Sequence, residues 1–148
     1  LVVSEDLSAL VARLVNQAYS NKYQILPDVI SKEPLSPAVR SNAPLFAKVV
    51  KWAIHSLVAA EEMGINSKNL RAKIKSKDPL IKRFFGITPG NGAALHLPEN
   101  WIFLIIKKMG NYGEIFDRNI GKGSPLKLQR GLNDLWKSGG LMYAPPFR

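Results

Sequence analysis

The longest helical periodicity in the chain constrains the fold most. Across residues 42–63, Phe46, Val49, Val50, Ala53, Leu57, Val58 and Ala60 recur at three- and four-residue spacing, with Trp52, Ile54 and His55 around them. Such a stripe must be buried against other elements, so this helix is expected to organise the body. Asn42 can cap it and Pro44 suits its first turn, where a missing N–H costs nothing. Gly64 is the expected stop, because glycine accepts a positive φ without a Cβ clash. Shorter helices are expected after it. One is capped by Ser67 and runs to Ile74, one starts at Asp78-Pro79, and others cover 98–108 and 112–119. In the 98–108 helix, Trp101, Leu104, Ile105 and Lys108 share one side. Gly110 should break the chain between the last two helices. Residues 126–136 also read as helical, although Gly131 weakens them, and 139–148 read as an extended tail.

Strands are scarce. Leu1 to Val3 form a β-prone stub ahead of a helix from Leu7, and 23–30 read as an edge or connecting strand because of Pro27. A strand cannot stand alone, so these read as orphans whose partners lie in other sequence. The Pro34 and Pro37 segment is stiff and extended, as suits a crossing between two bodies.

Composition excludes more than it selects. Hydrophobic residues make up 46% and charged residues 22%, ordinary for a globular protein. No apolar run reaches the roughly 18 residues of a membrane span. The absence of cysteine removes disulfides, thiolate metal sites and a cysteine nucleophile. The net charge is +10, and basic residues concentrate between Lys68 and Arg83. A small basic helical module that binds nucleic acid or a protein partner is therefore an alternative, although no nucleic-acid motif accompanies the charge.

No catalytic set emerges. His55 and His96 lack metal-ligand spacing. Glu5-Asp6 and Glu61-Glu62 are neighbours, which do not share a helix face, and so read as surface charge. Gly90-Asn91-Gly92 is too short for a phosphate loop. Asp6 stands apart because it sits where a strand ends and a helix begins, the position at which open α/β folds bind ligands. On local sequence alone, a role as no more than the helix N-cap is the favoured reading.

Several stretches resemble one family. Lys32-Glu33-Pro34-Leu35-Ser36-Pro37-Ala38-Val39-Arg40 matches a segment of the general L-amino-acid-binding periplasmic proteins, which belong to the family-three extracellular solute-binding proteins. Ala60-Glu61-Glu62-Met63-Gly64-Ile65 is similar to the end of their helix after the crossover. Gly110-Asn111-Tyr112-Gly113-Glu114-Ile115-Phe116-Asp117-Arg118-Asn119, then Arg130-Gly131-Leu132-Asn133, then Gly139-Gly140-Leu141-Met142-Tyr143-Ala144-Pro145-Pro146 follow in the family's order.

The resemblance implies an α/β fold of two hinged lobes, of which this chain would be a mainly helical C-terminal portion with a few strands. Residues 1–22 would end lobe two, 23–31 would be the hinge crossover strand, and 32–148 would complete lobe one with a helical extension. It implies a periplasmic, non-enzymatic capture subunit that binds an L-amino acid and delivers it to an inner-membrane ABC permease. No cofactor and no nucleic acid are expected, and a monomer is. Ser4-Glu5-Asp6-Leu7-Ser8-Ala9-Leu10 fits a family pattern at Asp6, Ser8 and Leu10, which makes Asp6 the candidate contact for the ligand's α-ammonium group. The family's arginine for the α-carboxylate lies earlier in lobe one, outside this sequence. The chain by itself is therefore not expected to hold an amino acid measurably.

Overall fold

The computed structural model describes residues 34–147 together with Leu26, Asp28 and Ile30. The expected strand at Leu1 to Val3, the helix from Leu7 and the ligand candidate Asp6 lie outside the described residues. So does most of the expected hinge strand, of which Leu26, Asp28 and Ile30 are solvent-exposed.

The described part is helical. Helix α1 (Pro44–Glu62) is followed by α2 (Leu70–Lys73), α3 (Pro79–Phe84), α4 (Trp101–Met109) and α5 (Tyr112–Asn119). Single 3-10 turns occur at Ala93–Leu95, Gly131–Asn133 and Trp136–Ser138. The β structure among the described residues is an isolated parallel bridge between Leu135 and Met142.

Helix α1 is the frame against which α4 and α5 pack. Pro44 fixes its first residue, which leaves Ala43 in the N-cap place without a side-chain cap. Asn42, expected as the cap, stands one residue too early. The far end closes as the glycine signal implies. Gly64 has φ +63°, its N–H donates to Glu61 O at 2.9 Å, and Ile65 N–H reaches back to Ala60 O at 2.7 Å. These two bonds satisfy carbonyls that a helix end would otherwise orphan. Ile65 is then fully buried, so the turn that stops the helix also feeds the core.

The core gathers Ala59, Ala60, Ile65 and Leu70 with Phe84, Phe85, Trp101, Ile102 and Ile106. The C-terminal tail returns to cover it. Phe147 lies 5.0 Å from the Trp52 ring and 5.2 Å from the Phe84 ring, within the range of favourable tilted and edge-to-face pairs.

Asp78 caps α3 as expected, accepting from Leu80 N–H at 2.8 Å. Three local expectations are corrected. Ser67 does not cap α2. Asn66 Oδ1 instead accepts from the backbone N–H groups of Lys68 at 3.0 Å and Asn69 at 2.9 Å. Helix α4 buries Trp101, Ile102 and Ile106, while Leu104 is 48% exposed. Its inward face is thus turned from the one expected, because Ile102 and Ile106 both outcompete Leu104 for the core. Residues 126–136 are not a helix. Lys127 and Gly131 have φ of +48° and +51°, and two left-handed residues four apart cannot lie in one right-handed helix. Leu128 N–H bonds to Ile120 O instead.

Candidate functional site

The densest polar cluster among the described residues surrounds the C-terminal end of α1. Arg130 is its hub. Its Nη1 and Nη2 donate to the two Glu61 carboxylate oxygens at 2.8 and 3.2 Å. Its Nε and Nη2 donate to Asn133 O at 3.0 and 2.8 Å. The guanidinium sits 5.2 Å from the ring centres of both Tyr112 and Phe116, where a cation gains from the negative ring faces. Asp134 adds a looser contact at 3.9 Å. Burial opposes the charge on Arg130, but the bond to Glu61 and the nearby carboxylates outweigh it and hold the guanidinium more firmly protonated. Burial raises the Tyr112 hydroxyl pKa.

Glu62, the next residue, faces the other way. Its oxygens accept from Trp136 Nε1 at 2.8 Å and from Ala144 N–H at 3.2 Å. Glu61 and Glu62 therefore tie two separate parts of the C-terminal segment to the end of one helix, and their reading as surface charge is corrected. Glu114 completes the arrangement. It closes a capping box with Asn111 at the start of α5 and accepts from Ser67 N–H and Oγ. Asn111 Nδ2 donates to the buried carbonyl of Ile65 at 2.8 Å. Burial pushes the Glu114 carboxyl up, but the hydrogen bonds from Ser67 and Asn111, with Arg118 nearby, bring it below its ordinary value.

This cluster joins elements and presents little to a ligand. Arg130 spends its donors on Glu61 and Asn133, so it is not a free carboxylate grip. An open cleft of about 290 Å³ beside it is lined by Asp117, Lys122, Leu128, Gln129, Arg130, Gly131 and Asp134. That lining supplies charge of both signs but no nucleophile with a base. Gly113 shows how close the packing is, since a Cβ there would stand 2.6 Å from Glu61 Oε1 and 2.9 Å from Arg130 Nη1.

The remaining candidates are structural. Gly90, Gly92 and Ala93 turn their N–H groups onto Glu99 at 2.9–3.1 Å. The loop thus encloses the protein's own carboxylate, and the N–H of Ala93 foremost lowers its pKa. His55 packs edge-on against Trp52 at 5.7 Å, and burial, with Lys51 adding, lowers its pKa. No group of three or more metal-ligating side chains occurs among the described residues.

The clasp that Arg130 and Glu61 form is not visible in the sequence, because the two residues lie far apart in the chain. A signal was nevertheless present. The stretches that carry the family resemblance, around residues 60–65, 110–119, 130–133 and 139–146, are the ones the clasp brings together.

No protein-family model matches the chain. Individual proteins do. The chain is 46% identical over 149 residues to the general L-amino acid-binding periplasmic protein AapJ of Rhizobium johnstonii, covering 99% of this chain and 44% of that protein. It is 42% identical over 147 residues to YhdW of Escherichia coli, a putative amino-acid ABC transporter-binding protein, covering 99% and 43%. It is 42% identical over 144 residues to the glutamate/glutamine/aspartate/asparagine-binding protein BztA of Rhodobacter capsulatus, covering 97% and 43%. Among solved structures, an ABC transporter periplasmic binding protein from Brucella ovis with glutathione bound superposes with a TM-score of 0.88 at 45% identity. That match covers 97% of this chain and 46% of that one. The chain thus spans under half the length of the relatives it matches, and its fold is that of part of a periplasmic binding protein.

Proposed function

Because the chain is kin to the amino-acid-binding periplasmic proteins of ABC transporters, we propose that it forms part of the capture subunit of an amino-acid importer. The complete protein would bind L-amino acids in the periplasm as a monomer and hand them to a membrane permease, without catalysis. The observation that carries this reading is the structural match at 45% identity over 97% of the chain. These relatives give no support to a nucleic-acid-binding module.

Ligand chemistry agrees across the relatives. Glutathione ends in a γ-glutamyl group whose free α-ammonium and α-carboxylate are those of every L-amino acid. Asp6, which the family resemblance singles out, is the carboxylate proposed to hold the ammonium. A charged hydrogen bond in a closed cleft contributes about 1.5–3 kcal/mol, which corresponds to roughly tenfold or more in affinity. In the whole protein that contains this stretch, Asp6→Ala is expected to weaken amino-acid binding at least about tenfold in calorimetry. Unchanged affinity would remove Asp6 from the site.

A further inference from the structure

We propose that the outward face of residues 68–87 is a contact surface for an anionic phospholipid bilayer. Three observations carry it. First, the segment has one side in the core, through Leu70, Phe84 and Phe85, and the other in solvent. Its solvent side holds Lys68, Arg71, Lys75, Lys77 and Arg83, all exposed.

Second, most of the described carboxylates are engaged elsewhere. Among the described residues, Glu61, Glu62, Glu99, Glu114 and Asp134 each accept hydrogen bonds from inside the fold. Asp78, the acid within this segment, caps α3. The ion pairs among the described residues belong to Arg130. Among the described residues the basic face therefore has no ion-pair partner, and an external anion would supply the counter-charge.

Third, two large apolar side chains stand on the same segment. Leu80 is 67% exposed and Ile87 51% exposed. Ile87 N–H bonds to Lys82 O at 2.9 Å, which keeps Ile87 beside the basic helix α3. Phosphates alone would be served by the cations. Cations flanking exposed aliphatic side chains suit a surface with anionic headgroups above a hydrocarbon layer. Single-stranded nucleic acid calls for aromatic stacking platforms instead, and the solvent side of 68–87 has none, while duplex phosphates give exposed Leu80 and Ile87 no role.

The test uses the whole protein and flotation with vesicles of phosphatidylcholine, with and without about one-third phosphatidylglycerol. Each lysine or arginine near such a surface contributes about fivefold in binding. The expected result is binding to the anionic vesicles only, weakening steeply as salt rises and the Debye length shortens. The variant Lys75→Glu/Lys77→Glu/Arg83→Glu should lose at least about a hundredfold, and Leu80→Ser about tenfold, both with unchanged circular dichroism. Failure to bind anionic vesicles at low salt overturns the proposal, as does equal binding to neutral vesicles. So does binding that either variant leaves intact. Tighter binding to duplex DNA than to the vesicles overturns it in favour of nucleic acid.

Discussion

Arg130→Met removes the hub of the clasp while keeping most of its aliphatic stem. The side chains of Arg130 and Glu61 are 16% and 17% exposed, close to a buried pair and far from a solvated one. Breaking a buried pair costs about 3–5 kcal/mol, because the surviving charge is stranded. An exposed pair contributes about 0–1 kcal/mol. The variant also orphans Asn133 O and loses the contacts with Tyr112 and Phe116, each cation–ring contact adding about 0.5–1 kcal/mol. The residual exposure lets water reach Glu61 and offsets part of this, so the expected cost is about 3 kcal/mol. Urea unfolding of the whole protein measures it, provided the slope of the transition is unchanged. Lys137→Met is the control. Lys137 stands 5.7 Å from the exposed Trp136 ring, and its loss should cost no more than about 0.5 kcal/mol. Glu61→Gln and the double variant complete a cycle whose coupling should be about 2 kcal/mol. An Arg130→Met cost no greater than that of Lys137→Met would refute the reasoning.

Other expectations follow from the same structure. The Glu114 carboxyl is lowered in the folded chain from an ordinary value of 4.5, so on acidification the unfolded chain takes up the proton first. Its contribution is complete above that ordinary value and drains away as pH falls through the folded one. Glu114→Gln should accordingly flatten the acid limb of a plot of melting temperature against pH, and an unaltered limb would contradict this. Ile102→Ala should cost about 2–5 kcal/mol and Leu104→Ala less than about 1 kcal/mol, by chemical denaturation, since the two are 0% and 48% exposed. Equal costs would contradict the inward face described for α4. Gly86→Ala combines a φ of +72° with a Cβ only 2.0 Å from Glu99 O. It should cost at least about 2 kcal/mol, read as a lowered melting temperature.

Local signals were legible where one or two residues decide the backbone. Gly64 ending α1, Asp78 capping α3 and Gly110 separating α4 from α5 all follow from short-range chemistry. What the sequence hid was long-range or competitive. Leu128, Leu132 and Leu135 imitate a helical stripe, yet Lys127 and Gly131 turn left-handed and the segment folds back along the ends of α5 and α1 instead. Glu61 and Glu62 look like a solvated pair until Arg130, Trp136 and Ala144 arrive from far along the chain. The inward face of α4 depends on which isoleucines its neighbours leave room for, and periodicity alone does not rank them. Asp6, the one ligand candidate, stands out by its expected place between strand and helix, owes its ligand role to the resemblance, and lies outside the described residues.

A stretch that belongs to a receptor for L-amino acids must bind one when the whole protein is present. Isothermal titration of the whole protein with a panel of L-amino acids and glutathione should then show saturable one-to-one binding of at least one L-amino acid, in the micromolar range or tighter. A folded protein that gives no binding heat with any of them at several temperatures would contradict it.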